Sequence, residues 1–428
     1  MATRFEAFKE AYNNLALTPL LEQRALERFR VEYGQSVLLE LEQLVEDDVD
    51  SRDGKTIFSG HRGCGKSTLL AEFGRRCERN NFFVVFFSIA DTIEMSDVDH
   101  VNILFSIAVN LMESAEMTGV AISKSAKAAF LEWFATKTRT EVREASVAGE
   151  LEFIRFIKST LKVSSTVRNE IKQEFESKIS DLVAQINAIA AAIQNGTDKE
   201  LLVIIDDLDK LDLGVVRHVY DHVKALFLPG FRIIYTTPVA SLRESALWAT
   251  MSTESNGQIV NMPVVKLFSQ ASSRQQQPVL LEENKKRLCE MLSRRMSSDL
   301  VEIEIIEAIV LKSGGVLREL IRIARKCCQI CLREIRRSKT PETMKINRDI
   351  FEQAVTSIRL DFEALLGRAD YEILQQTYQN YSPNDQKAQS FLDLLHTLHI
   401  LEYQNGDIWY DLHPVVLDLM KRKGLAEG

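Results

Sequence analysis

Short apolar runs alternate with longer stretches of helical periodicity along much of the chain. The runs are Thr56–Phe58, Phe82–Ile89, Leu201–Ile205 and Phe231–Tyr235, and the valine-rich segment Gln258–Leu267 is a candidate fifth. Continuous apolar runs are typical of strands that are buried on both faces of a parallel sheet. Five such strands alternating with helices predict an α/β fold with a doubly wound, five-stranded parallel sheet.

Two parts of the chain have helical periodicity without strand patterns. Residues 1–50 have it before the first strand, with a break at Thr18-Pro19, because the residue before proline avoids the helical region. We expect this segment to cover an edge of the core, and a partner-binding helix is the alternative. Residues 101–199 form a helical insertion, since crossovers in parallel sheets are usually much shorter. Its polar middle, Lys124–Arg143, is expected to be mobile.

The last third of the chain is helical up to a short hairpin pattern. The polar stretch Gln270–Pro278 marks the best domain boundary. Residues 51–270 are then the core domain, residues 279–365 a helical lid domain and residues 366–428 a C-terminal domain. In the C-terminal domain two apolar strands flank Gln404-Asn405-Gly406, and Asn-Gly is a strong hairpin signal. A hairpin after an apolar helix resembles a winged helix.

Composition and charge restrict the class of protein. At 428 residues, with 45% hydrophobic and 27% charged residues, the chain is that of a globular protein with several domains. No apolar stretch reaches the roughly 18 residues of a membrane helix. The N-terminus lacks the apolar core of a signal peptide, so we expect a cytoplasmic protein without membrane partners. The net charge of −8 disfavours nucleic acid binding across the whole surface, although a local basic patch stays open.

Two clusters of candidate metal ligands lie in helical stretches. Cys327, Cys328 and Cys331 have no histidine nearby in the sequence, which favours small buried thiols over a zinc site. His218 and His222 lie one helical turn apart, a spacing that permits metal binding. No third ligand is evident beside them, so surface histidines are the favoured interpretation.

Residues Gly60 to Ser67 fit the pattern G-x-x-x-x-G-K-[ST], directly between the first strand and a helix. Glycines let consecutive backbone N–H groups face an anion, and the N-terminus of the helix is positive. The motif predicts binding of ATP or ADP with Mg²⁺, with Lys66 on the β- and γ-phosphates and the Ser67 hydroxyl on the metal ion. The predicted nucleotide-binding residues are Gly60, His61, Arg62, Gly63, Cys64, Gly65, Lys66, Ser67 and Thr68.

Two later strands end in polar residues, at the edge of the sheet where open α/β sheets bind ligands. Asp206 ends the third run and is predicted to hold Mg²⁺ through its water shell. Asp207 is the candidate that polarises the attacking water, and a solvated carboxylate is the alternative. Thr237, which follows Thr236 after the fourth run, is a candidate for a hydrogen bond to the γ-phosphate or its water.

In this order, the three segments resemble the Walker A, Walker B and first sensor motifs of the AAA+ and STAND group of P-loop NTPases. The resemblance covers most of residues 51–428, and it implies an ATPase core, a helical lid and a winged helix. AAA+ motors carry Asp-Glu in Walker B, whereas this chain has Asp206-Asp207, as STAND signalling ATPases often do. The shorter carboxylate reaches less far, so slow hydrolysis is expected.

Two more residues take their roles from the resemblance. Arg318 shares a helix face with Arg322 and Arg325, and it resembles the second-sensor arginine of the lid, which would contact the γ-phosphate. A solvated basic face is the alternative, and Leu317 stands where the STAND loop has proline. His413, in Leu-His-Pro, resembles the STAND histidine that contacts the β-phosphate of ADP. A structural histidine is the alternative there.

Together these motifs predict an ATP-binding, slowly hydrolysing molecular switch. Its nucleotide state would control the arrangement of lid and winged helix and the association with a partner protein or another copy. A role in bacterial defence or signalling follows by analogy only. The alternatives are an AAA+ ATPase that loads or remodels nucleic acid, and a scaffold that binds nucleotide without hydrolysing it. Seven acidic against four basic residues from Ser382 to the C-terminus disfavour duplex binding by the winged helix.

Overall fold

The computed structural model describes residues 3–46, 54–122, 150–275, 278–337 and 340–426. The chain divides into two compact units. The sheet unit comprises Ser36–Ser59 and Leu70–Asn261, and the loop unit comprises Met1–Gln35, Gly60–Leu69 and Met262–Gly428. The four domains expected from the sequence stay a prediction. Lys124–Arg143, expected to be mobile, lies outside the described residues.

The sheet has five strands, all parallel, which confirms the predicted α/β fold. The strands are β1 (Lys55–Gly60), β2 (Phe82–Ser88), β3 (Glu200–Asp206), β4 (Arg232–Pro238) and β5 (Ile259–Met262). Their order across the sheet is β2, β3, β4, β1, β5. The fifth strand is shorter than predicted because Pro263 follows it and has no N–H group to donate to a neighbouring strand.

Helices account for most of the remaining described residues. The first eleven are α1 (Arg4–Asn14), α2 (Gln23–Phe29), α3 (Gln35–Glu46), α4 (Lys66–Arg79), α5 (His100–Thr118), α6 (Glu150–Val163), α7 (Ser165–Phe175), α8 (Ile179–Thr197), α9 (Leu213–Asp221), α10 (Val223–Leu226) and α11 (Ser245–Glu254). The others are α12 (Glu282–Ser293), α13 (Ile303–Lys312), α14 (Leu317–Ile335), α15 (Arg348–Glu363), α16 (Arg368–Asn380), α17 (Gln389–His396) and α18 (Pro414–Arg422). Within the described ranges, no helix is both long and apolar enough to cross a membrane.

The described part of the predicted insertion is helical, from α5 to α8. α5 begins after Asp99, whose side chain accepts a hydrogen bond from the Asn102 N–H group, and it ends at Gly119 with a φ of 73°. Nearly all of its apolar residues are buried, and α6, α7 and α8 pack against it. The described part of the insertion therefore adds a second layer of core to one side of the sheet unit.

The N-terminal helices belong to both units. α3 packs in the sheet unit, where Glu42 pairs with Arg76 at 3.1 Å and the Val45 carbonyl accepts a hydrogen bond from Arg232. α1 packs instead on α14 of the loop unit, with the Arg325 guanidinium over the Tyr12 ring. Covering of the sheet core by residues 1–50 is thus observed for α3, whereas α1 covers the face of α14.

The C-terminal hairpin lies where the sequence predicts it. β6 (Ile400–Asn405) and β7 (Asp407–Leu412) pair antiparallel, and the turn residue Gly406 has a φ of 93°. The Tyr403 and Trp409 rings stack across the pair, with their centroids 4.7 Å apart. The assignment of this region to the winged-helix fold stays a prediction.

The cysteine cluster lies on the buried side of α14. Cys327, Cys328 and Cys331 are fully buried. Burial raises the pKa of the Cys331 thiol to about 12 and that of Cys327 well above its ordinary value. In the part of the chain that the structure describes, these thiols are not among the groups placed to hold a metal ion. The geometry favours small, inert core thiols, as the spacing indicated.

Candidate functional site

The phosphate loop connects β1 to α4 and depends on glycine for its shape. Gly63 and Gly65 have φ angles of 86° and 102°, in the left-handed region that side chains disfavour. A Cβ atom on Gly65 would lie 1.6 Å from the Tyr33 hydroxyl oxygen. Glycine is therefore required at position 65 both by the backbone conformation and by a close neighbour.

Lys66 is held by the backbone of its own loop. Its ammonium donates to the carbonyl oxygens of Gly60 and His61, at 2.9 and 2.8 Å, and the side chain is only 4% exposed. Phosphate oxygens, which accept from an ammonium more strongly than neutral carbonyls, would compete for the same donors. Ser67 lies half-buried in the first turn of α4, whereas Arg62 is exposed.

An N-terminal segment, which the sequence analysis did not connect with the site, contacts the phosphate loop. The Tyr33 hydroxyl donates to the Gly65 carbonyl oxygen at 3.2 Å, and the Arg30 guanidinium lies over the Tyr33 ring. The Leu20 N–H group donates to the Thr68 hydroxyl at 3.1 Å. No sequence signal marks these residues, because tyrosine and leucine in a polar loop are ordinary surface or packing residues.

The start of α14 contacts the same loop. The Arg318 N–H group donates to the Gly63 carbonyl oxygen at 3.0 Å, and a Cβ atom on Gly63 would lie 2.6 Å from the Arg318 Cβ. The two other arginines of this helix face have structural contacts: Arg322 pairs with Glu319 and Asp361, and Arg325 covers Tyr12. Only Arg318 of the three is thus next to the phosphate loop, and its contact with the γ-phosphate stays a prediction.

The C-terminal hairpin reaches the loop through His61. The Glu402 N–H group of β6 donates to Nε2 of His61 at 2.8 Å, and both residues are buried. The motif pattern allows any residue at this position, so the contact could not be expected from the sequence. The phosphate loop therefore contacts the N-terminal segment, the start of α14 and the hairpin, all within its own unit.

His413 is completely buried beside α18. Its Nδ1 accepts a hydrogen bond from the Val415 N–H group and caps the helix, and its ring stacks on Phe362 with centroids 4.9 Å apart. Burial, with nearby His399 and Lys312, lowers its pKa to about 3. This is the geometry of the structural alternative, and the predicted contact with the β-phosphate stays untested.

Three carboxylates meet at the carboxyl end of β3 in the sheet unit. Asp206, Asp207 and Asp209 are buried, and each offers an oxygen within 4.8 Å of the others. Clustered carboxylate oxygens are ligands that Mg²⁺ prefers, so the donor set fits the ion that the motif implies. Asp209 was not among the predicted site residues, although the sequence shows a third aspartate three residues after Asp206.

Asp207 is engaged on both of its carboxylate oxygens. The Ser88 hydroxyl at the end of β2 donates to Oδ2 at 2.7 Å, and the Lys210 ammonium lies 2.5 Å from Oδ1. The residue has a φ of 70°, which aspartate tolerates better than most side chains. Because Asp207 is buried and paired, its carboxylate is not simply solvated, which was the alternative interpretation.

The threonines that end β4 are hydrogen-bonded within the sheet unit. The Thr236 hydroxyl accepts from the Leu208 N–H group and donates to the Ile205 carbonyl oxygen. The Thr237 hydroxyl lies 2.9 Å from that of Ser241, which itself donates to the Pro238 carbonyl. The Thr237 proton is therefore directed to Ser241. A role of Thr237 towards the γ-phosphate stays a prediction that requires this proton to be redirected.

The fold adds a third histidine to the predicted pair. His100 of α5 stacks on His222 with ring centroids 4.2 Å apart and an interplanar angle of 3°, and His218 lies edge-on to His222. A metal ion lies in the plane of each imidazole that binds it, and two stacked parallel rings have no common point of this kind. Burial lowers the pKa of His100 to about 4. The stacked geometry therefore does not form a metal site, and His218 and His222 are exposed, as the surface interpretation expects.

The parallel sheet and the phosphate loop define the class: the protein is a P-loop NTPase. Within this class the chain belongs to the KAP family, because the KAP family P-loop domain matches residues 55–327. The recognition as a P-loop NTPase is thereby confirmed, and its STAND part stays a prediction. No curated protein matches the chain.

Several solved structures are similar to the chain at low sequence identity. The Aeropyrum pernix ORC1 protein in complex with DNA is 9% identical, with a TM-score of 0.42, covering 95% of this chain and 96% of that one. Drosophila ORC bound to DNA is 12% identical, with a TM-score of 0.38 and coverage of 97% and 91%. The Thermotoga maritima RuvB Holliday junction branch migration motor is 12% identical, with a TM-score of 0.38 and coverage of 96% and 99%.

Proposed function

We propose that the protein is an ATP-dependent molecular switch that hydrolyses its nucleotide slowly and presents a different surface to a protein partner, or to another copy of itself, in each nucleotide state. The contact between His61 and Glu402 carries the proposal. It connects a residue of the phosphate loop directly to the backbone of the C-terminal hairpin. A change in the loop thus has a short physical route to the hairpin.

Binding would use the groups of the phosphate loop. The backbone N–H groups from Gly63 to Thr68 and the Lys66 ammonium would bind the β- and γ-phosphates, and Arg318 would add a charge-assisted hydrogen bond. Ser67 and Asp206 would hold Mg²⁺, which neutralises phosphate charge when bound. Tyr33 and Leu20 lie on the N-terminal segment beside the loop and would contact the remainder of the nucleotide.

Hydrolysis would transfer the γ-phosphoryl group to water. A water oxygen forms a bond to the γ-phosphorus, the bond to the bridging oxygen breaks, and ADP leaves with that electron pair. Asp207 would orient the water and accept its proton, which finally resides on the phosphate products. The side chain is short, and both of its oxygens already have partners, so we propose a low turnover.

Transmission would begin at the loop carbonyls and His61. Lys66 holds the His61 carbonyl, so withdrawal of the ammonium to a phosphate frees the residue whose side chain contacts β6. Gly63 likewise contacts the backbone of Arg318 at the start of α14. Both contacts respond to the geometry of one loop, which makes the lid helix and the hairpin the elements that report nucleotide state.

The experiment that tests this route is hydrogen–deuterium exchange at saturating nucleotide. We expect the peptide covering Ile400–Leu412 to exchange at different rates with MgADP and with a magnesium complex of a non-hydrolysable ATP analogue. In His61→Ala, loaded to saturation, this difference should shrink because the hydrogen bond to Glu402 is gone. α8 of the sheet unit serves as the internal reference. Equal exchange of the hairpin in both nucleotide states would reject the switch.

A further inference from the structure

In the turn after β3, the ammonium of Lys210 forms an ion pair with Asp207, the carboxylate that the proposed reaction needs. Lys210 Nζ lies 2.5 Å from Oδ1 of Asp207, and the contact is an ion pair without hydrogen-bond alignment. On the other side, the Ser88 hydroxyl donates to Oδ2 at 2.7 Å. A water molecule that used Asp207 as its proton acceptor would therefore share the carboxylate with two existing partners.

The backbone fixes the position of Lys210 relative to Asp207. The Lys210 N–H group donates to the Asp207 carbonyl oxygen at 3.0 Å and closes a tight turn three residues long. The turn is anchored to β4, because the Leu208 N–H group donates to the Thr236 hydroxyl at 3.0 Å. The two charged side chains thus start from a rigid frame, and their pairing is not an accident of two flexible surface groups.

The two side chains differ in freedom. The Asp207 side chain is 12% exposed, whereas that of Lys210 is 27% exposed at the end of a long aliphatic stem. Lys210 can leave towards solvent while Asp207 stays in place. Lys210 can therefore restrain the Asp207 carboxylate when the two are paired and release it when the lysine side chain moves away.

We propose that Lys210 is a positioning residue that restrains Asp207 and so limits the rate of ATP hydrolysis. This inference rests on the proposed function, in which Asp207 orients the attacking water and accepts its proton. While the ammonium occupies Oδ1, the carboxylate presents fewer lone pairs to the water. Release of Lys210 frees them, without any change to the groups that bind the phosphates.

The charge of Lys210 is tested by three substitutions at the same position. Lys210→Met keeps the stem and removes the charge, Lys210→Gln keeps a hydrogen-bond donor without charge, and Lys210→Arg keeps the charge. A partly exposed ion pair is modest in strength, so we expect kcat for phosphate release to rise about three- to tenfold in the Met and Gln variants. The Arg variant should stay within about twofold of the parent.

The Michaelis constant separates restraint from a structural effect. Because Lys210 acts on the water and not on nucleotide binding, KM for MgATP should be unchanged while kcat rises. Adding Asp207→Asn to Lys210→Met should abolish the gain, since the released carboxylate is then missing. Thermal unfolding of each variant checks that the turn still folds.

The outcomes distinguish the restraint from the switch itself. If the parent releases phosphate and Lys210→Met releases it at the same rate or more slowly, the restraint is rejected. Hydrolysis itself is then still supported. Release that is absent from the parent but present in Lys210→Met would support a strong restraint. Absence from both, with MgATP bound, would reject hydrolysis and the restraint together.

Discussion

Single residues decide the conformation of the phosphate loop. Gly65 combines a φ of 102° with a neighbour, the Tyr33 hydroxyl, that leaves no room for a side chain. The motif pattern requires glycine at this position, but the pattern alone does not give the reason. The explanation lies partly outside the motif, in a tyrosine more than thirty residues earlier in the chain.

Gly65→Ala should weaken MgATP binding and destabilise the loop. A side chain at this φ costs about 1–2 kcal/mol, and Tyr33 must also move. A loss of this size corresponds to roughly tenfold weaker binding, which titration calorimetry measures. Gly214→Ala is the matched control, because nothing lies within 4 Å of its Cβ position. That control lies in α9, so it should stabilise the protein by about 0.4–1 kcal/mol. Equal affinity in Gly65→Ala and the parent would contradict this account of the loop.

For single residues, the sequence predicts which side chains belong to the site better than it predicts what those side chains contact. Lys66 and Asp206 follow from spacing alone, because the chemistry of phosphate and Mg²⁺ requires those side chains. The pairing of Asp207 with Ser88 could not be read from the sequence, since it depends on strand order and register across the sheet. Lys210 was visible three residues after Asp207, but the pairing depends on the left-handed φ of Asp207, which no sequence pattern indicates.

At the scale of elements, α18 begins with an unusual cap. His413 accepts the Val415 N–H group through Nδ1, so its ring must be unprotonated there for the helix to keep this bond. Burial and the neighbouring cations Lys312 and Arg322 hold its pKa at about 3. The pKa of nearby His399 is also lowered by burial. Acid should therefore act on the hairpin region.

His413 gives a specific dependence of stability on pH. Its pKa is lower in the folded protein than the ordinary 6.5, so its stabilisation is complete above pH 6.5 and is lost as the pH falls towards 3. By pH 5 the loss from this residue is about 2 kcal/mol. In His413→Asn, which keeps a capping oxygen, the decline between pH 7.5 and 5 should be smaller by about this amount. Urea unfolding at the two pH values measures it, with exposed His218→Asn as the control. An unchanged decline in His413→Asn would show that another group is responsible.

The sequence predicted the type of each element better than it predicted which elements pack against each other. The strands and the hairpin turn follow from apolar runs and from Asn-Gly, which are local signals. The division of the N-terminal helices between two units was not predictable, because helical periodicity shows that a helix has an apolar face but not what that face packs against. What separates them is the partner: α1 meets the arginines of α14, while α3 meets Arg76 and Arg232.

For the whole molecule, charge and contacts point to protein association more than to nucleic acid. The net charge is −8, and the C-terminal hairpin region carries more acidic than basic residues. Binding to a polyanion depends on clustered basic side chains that release counterions. In the described parts of the loop unit, several arginines are instead committed to rings or carboxylates, among them Arg274, Arg322 and Arg325. These observations support the proposal that the switch responds through a protein interface.

The central claim is that the phosphate loop binds a nucleoside triphosphate through Lys66, and titration calorimetry with MgATP tests it most directly. The parent should bind one nucleotide per chain with measurable heat, and Lys66→Ala, which removes the ammonium but leaves the glycines, should show none at the same concentrations. No heat with the parent, or equal heat with both proteins, would contradict the account.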